Sequence, residues 1–97
     1  MPTYITMINY TEQGVKNIKD APQRLEAAKA AFKAAGGELT HIFLTLGRYD
    51  LVAISEMPND EAVATLALVQ AGQGNVRTET MRAFNEEEYK SIVGKLP

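Results

Sequence analysis

Residues 38–57 read ELTHIFLTLGRYDLVAISEM, and this stretch decides the fold. From Glu38 to Leu46 the side chains alternate, with Ile42, Leu44 and Leu46 opposing His41, Phe43 and Thr45, the period of two that belongs to a strand. Gly47-Arg48-Tyr49-Asp50 interrupts the pattern, and Leu51 to Met57 resumes it. So short a break between two strands predicts an antiparallel hairpin.

The flanks extend the pattern outward. Gly36-Gly37 ends a predicted helix from Gln23 to Ala35, announced by Asp20 and Pro22, because proline fits a first turn whose amides have no partner anyway. Leu25, Ala28, Phe32 and Ala35 make its apolar stripe, while Arg24, Glu26, Lys29 and Lys33 can face water. Before it, Thr3 to Tyr10 is a strand with Tyr4, Thr6, Ile8 and Tyr10 on one face and Thr3, Ile5, Met7 and Asn9 on the other. Gly14 breaks that strand, and Val15 with Ile18 predicts a short packed turn. On the other flank, Pro58-Asn59-Asp60-Glu61 starts a second helix over Ala62 to Ala71, closed by Gly72 and Gly74. Val76 to Phe84 reads as a fourth strand, and Asn85 to Leu96 as a short helix capped by Asn85.

The order is β-α-β-β-α-β with a tail helix. With right-handed crossovers this is an α+β, ferredoxin-like sandwich: a four-stranded antiparallel sheet with two helices on one face. At 97 residues, 45% hydrophobic and 23% charged, the chain reads as one domain over residues 1–97. Zero cysteines exclude a disulfide scaffold and thiolate chemistry, and a single histidine excludes a site needing two imidazoles from one chain. A net charge of −2 argues against a nucleic-acid surface. No apolar run approaches the roughly 20 residues of a spanning helix, and the start MPTYITMINY lacks a signal peptide's pattern. A cytoplasmic protein with no membrane partner, metal or cofactor is the expectation.

Two helices cover only one face of the sheet. Whichever face of each strand turns outward, aromatics or large aliphatics go with it, whereas a sheet that meets water normally alternates into polar residues. Such a patch marks a partner surface, and a second copy is the expected partner. Stacked sheet to sheet, two copies would form a dimeric α/β barrel.

Around Leu46-Gly47-Arg48-Tyr49-Asp50-Leu51-Val52 the chain resembles the GYD domain family, small stand-alone proteins with a glycine-tyrosine-aspartate signature. The resemblance includes Thr11-Glu12-Gln13-Gly14, Lys19-Asp20-Ala21-Pro22 with Arg24, Gly36-Gly37 and Met57-Pro58-Asn59-Asp60-Glu61. It continues through Gly74-Asn75-Val76-Arg77-Thr78-Glu79-Thr80 and Arg82-Ala83-Phe84. Here Arg48 stands between the signature glycine and tyrosine. The resemblance implies the ferredoxin-like fold and the dimeric barrel, and carries no activity with it.

The residues with chemistry to offer are few. His41 would need an orienting carboxylate to act as a base, with Asp50 and Glu56 as conceivable partners. Gly47, Tyr49 and Asp50 read first as turn chemistry, with Arg48 and Tyr49 alternatively lining a cavity mouth. Arg77 and Glu79 share a strand face, on a strand expected to be central, and either pair across a dimer or bind a polar ligand. A ligand site is therefore expected between the open face and the hairpin, drawing on His41, Arg48, Tyr49, Asp50, Arg77 and Glu79. Met7, Met57 and Met81 read as core filling. Ser55, Asp50 and His41 supply a triad's residue types without a nucleophile elbow.

Three functions fit these residues. The first is a homo-oligomeric small-molecule-binding or structural module. The second, by fold analogy alone, is a cofactor-independent monooxygenase or isomerase. The third is a stand-alone sensor like the ligand-binding domain of Lrp/AsnC regulators, without their DNA-binding helices.

Overall fold

The computed structural model describes every residue from Met1 to Pro97. Strand β1 (Thr3–Tyr10) leads into a short helix α1 (Glu12–Lys16), a 3-10 turn (Ile18–Asp20) and helix α2 (Ala21–Ala34). The hairpin of β2 (Glu38–Leu44) and β3 (Leu51–Glu56) follows, then α3 (Asp60–Gly72), β4 (Val76–Ala83) and α4 (Glu86–Gly94). The four strands form one sheet in the order β2-β3-β1-β4, and every neighbouring pair is antiparallel. This is the ferredoxin-like arrangement.

The faces sort cleanly. Tyr4 packs with Val63 and Leu66 of α3 and with Met57, so Tyr4, Thr6, Ile8 and Tyr10 look toward the helices. Ile5, Met7 and Asn9 therefore look the other way. In β2 the pairing with β3 slips between Leu39 and His41. One extra residue at a bulge resets the alternation, so Leu39 and Ile42 both serve the helix side while His41 and Phe43 stay on the open side.

The core sits at one end of the sandwich. Tyr4, Met57, Val63 and Leu66 are buried, with Ala31, Phe32, Ala35 and Ala62 packed around them. Only 7 of 97 residues are buried in all, so a single copy leaves most of its apolar surface partly exposed. At the other end, α1 locks onto the loop before β4. The Thr11 hydroxyl donates to the Gly74 carbonyl at 2.6 Å and accepts from the Gly14 amide at 3.1 Å. A Cβ at Gly14 would lie 2.1 Å from the Asn75 carbonyl oxygen, so this contact requires glycine.

The helix starts follow their caps. Asn59 accepts from the Ala62 amide at 2.9 Å, and Asn85 with Glu88 makes a reciprocal capping box at 2.8 and 2.9 Å. Pro22 lies in the first turn of α2, as expected, but Asp20 makes no side-chain cap.

Several expectations change. The fourth strand is an edge strand, not a central one. Met81 lies on the open face and is exposed, and only Met57 of the three methionines is fully enclosed. Val15 and Ile18 are exposed, because α1 packs through Gly14 instead. Leu46 falls beyond the end of β2 and is exposed.

Candidate functional site

On the open face, Ile5 lies between Ile54 and Met81, and Met7 between Val52 and Glu79. Phe43 stands opposite Val52 and His41 opposite Ile54. The His41 and Phe43 rings stack with centroids 6.1 Å apart. Phe43 is 51% and Met81 46% exposed. The face is thus an apolar floor with Arg77 and Glu79 along one edge and His41 along the other.

The hairpin is fastened at its base. The Thr45 amide donates to the Asp50 carbonyl at 2.9 Å, and the Thr45 hydroxyl to the Tyr49 carbonyl at 2.6 Å. Asp50 ties the loop to β1: its amide donates to the Ile8 carbonyl, and its carboxylate accepts from the Tyr10 amide at 2.9 Å. Gly47, at φ 109°, takes a backbone conformation that other residues rarely adopt. The Tyr49 hydroxyl donates to Glu79 at 2.9 Å, linking the hairpin to the β4 edge.

Of the six residues singled out from the sequence, the fold joins Tyr49 to Glu79 and sets Arg77 on the same face. Asp50 is occupied with backbone. Arg48 is exposed at the loop. His41 lies on the opposite edge strand, three strand spacings of roughly 4.8 Å from β4. The Nδ1 of His41 lies 3.1 Å from the Thr40 hydroxyl, and no carboxylate pairs with it. Ser55 faces the helices, so the sheet itself separates it from His41. No group of three His, Asp or Glu side chains converges as metal ligands.

One titratable group is displaced. The buried Tyr4 phenol donates to Asp60 at the start of α3. That bond, then burial, then the nearby negative charge hold its pKa above the ordinary tyrosine value, with Arg82 pulling the other way.

An apolar pocket, partly open to solvent, lies on the helix side. A cavity of about 210 Å³ separates the sheet from α2 and α3. Its cause is side-chain size. Ala28 on α2 and Ala67 on α3 face Thr6, Ala53 and Thr78 on the sheet, and small residues on both layers cannot meet. Arg24, which the sequence allows to face water, is half-buried and also lines this cavity. The signal was present, since Arg24 precedes Ala28 by four residues and so shares its helix face.

Fold and surface together define a small ferredoxin-like domain with a helix-side cavity and an uncovered sheet. The chain belongs to the GYD domain family, whose model matches residues 4–93. It is 30% identical over 85 residues to the glutamine synthetase and cystathionine beta-lyase binding protein of Thermus thermophilus, covering 87% of this chain and 90% of that one. Its fold is similar to that of a feast or famine regulatory protein from M. tuberculosis solved with L-methionine, with a TM-score of 0.67 and 20% identity over 88% of this chain. It spans about half (51%) of that regulator. A leucine response regulatory protein from M. tuberculosis matches similarly, with a TM-score of 0.57 and 17% identity over 87% of this chain and 51% of that one.

Proposed function

We propose that this GYD domain protein is a homo-oligomeric binding module, assembled through its open sheet face into a dimeric α/β barrel in the cytoplasm. The observation that carries the reading is the apolar floor of Ile5, Met7, Val52, Ile54, Phe43 and Met81 with no second layer on it. A surface of this kind is stabilised by burial. The charges suit a second copy: Arg77 and Glu79 lie two positions apart on one face, so a twofold axis across the strands sets each against the other's counterpart. Arg77, Tyr49 and Glu79 then lie at the boundary between copies, where a small polar ligand has groups to meet. Arg48, Asp50 and His41 complete the rim as the hairpin and the far edge.

Light scattering at micromolar concentration tests this. A mass of two chains or a multiple is expected, with a total buried area of at least about 1,200–2,000 Å². Phe43→Asp places a charge in the floor and should shift the mass to one chain while the circular dichroism spectrum persists. A monomeric parent protein rejects the reading.

The name of the Thermus relative favours a second reading, in which the module binds metabolic enzymes. Co-sedimentation with purified glutamine synthetase tests it, and the absence of a complex at micromolar concentrations of both rejects it.

A further inference from the structure

The helix-side cavity holds a feature that packing does not explain. Arg24 enters from the first turns of α2, and its Nη1 donates to the Asn17 carbonyl at 2.9 Å. Its Nη2 is shielded from solvent and has no hydrogen-bond partner. No carboxylate forms an ion pair with it. A buried donor left unsatisfied is destabilising, and more so when it carries charge. The bond to Asn17 lies at an exposed position and engages Nη1 alone, which leaves Nη2 available to a guest.

Elsewhere the lining is mostly apolar, with Ser55, Gln70, Gln73, Asn75 and Thr78 among its other polar side chains. Ile8, Leu25, Leu39, Ile42, Leu51 and Val76 supply the walls. Thr6 and Thr80 on the sheet satisfy each other at 3.1 Å, so they make little demand on a guest. The volume of about 210 Å³ exceeds the roughly 150 Å³ of an engineered cavity that accepts benzene. It is smaller than the roughly 300–1,000 Å³ of pockets for drug-sized ligands. A ring or a short branched chain with one polar head fits between these limits.

We propose that this cavity binds a small carboxylic acid with a branched or aromatic apolar tail, its carboxylate paired with Nη2 of Arg24. One fixed cation suits a singly charged anion. A phosphate would bring more charge than one guanidinium balances, and no cluster of arginines is present to share it. The lining contains no aspartate or glutamate, so an amino acid's ammonium group would find no countercharge. The site lies behind the sheet from the face assigned to self-association, and it stands whether or not copies pair through that face.

The test uses three molecules with one carbon skeleton: 4-methylpentanoate, its neutral amide, and leucine. Binding to the intact protein is followed by calorimetry and by the methyl resonances of Ile8, Leu25 and Leu51. The acid should bind at millimolar concentration or better and shift those methyls, with the amide and leucine each at least tenfold weaker. Arg24→Met should reduce the acid to the level of the amide. Ala67→Leu, which fills the cavity from α3, should abolish binding of all three while the circular dichroism spectrum persists. Equal binding of acid and amide to the parent protein overturns the proposal, as do tighter binding of leucine and no binding of the acid at ten millimolar. These outcomes are read on the parent protein, so they hold even if a variant fails to fold.

Discussion

Tyr4 joins the two layers of the molecule. Its ring lies in the core beside Met57, Val63 and Leu66, and its hydroxyl reaches Asp60 at the first turn of α3. Tyr4→Phe should lower stability by about 1.5–3 kcal/mol at neutral pH, the range for a bond to a charged group, measured by urea unfolding. The pH dependence has a definite sign. The folded phenol holds its proton above the unfolded value, so its contribution is complete below about pH 10 and fades as pH rises through the folded pKa. The parent protein should therefore lose stability above about pH 10 more steeply than the phenylalanine variant, and parallel declines would refute the role of this bond. Gly14 and Arg24 show where residue-scale reading stops. Gly14 interrupts a strand pattern in the sequence, yet its necessity comes from the Asn75 carbonyl about sixty residues away. Long-range approach leaves no local mark. Arg24 did leave one, in its spacing from Ala28, but a charged side chain at a helix start reads first as solvated.

The elements were largely legible. The order of strands and helices, the hairpin at Gly47 to Asp50 and the caps at Asn59 and Asn85 all follow from periodicity and turn chemistry, and the structure holds each of them. Boundaries moved by a residue or two, as at α2, which begins at Ala21 and ends at Ala34. The bulge in β2 was hidden, because one extra residue alters phase without altering composition. Helix α2 carries the clearest element-scale prediction. Phe32 is partly buried and packs against the core cluster, so Phe32→Ala should cost about 3 kcal/mol, the lower end for removing a core aromatic. Denaturant unfolding measures this, and a loss under about 1 kcal/mol would mean that α2 is held by something other than this contact. The candidate site was legible only in part. Tyr49 and Glu79 meet because the hairpin turns toward β4, and a strand pattern contains nothing that specifies strand order. That order is what sets His41 on the far edge.

At the scale of the whole molecule, the sandwich is closed at one end and hollow in the middle. Its thinnest dimension is 18 Å, consistent with one sheet under one layer of helices. The open face and the hollow share a cause, which is a sheet with little bulk on one side and no cover on the other. The hollow has a mechanical consequence. Space that neither protein atoms nor water fill belongs to the native state alone and vanishes when the chain unfolds, so compression favours the unfolded form in proportion to that void. The protein should therefore unfold under hydrostatic pressure more readily than its Ala67→Leu variant, with a more negative volume change, followed by tyrosine fluorescence in a pressure cell. Equal volume changes for the two would mean that water already occupies the cavity. A guest of the right size would act as the added methyl groups do, and resistance to compression would then report how much of the hollow is filled.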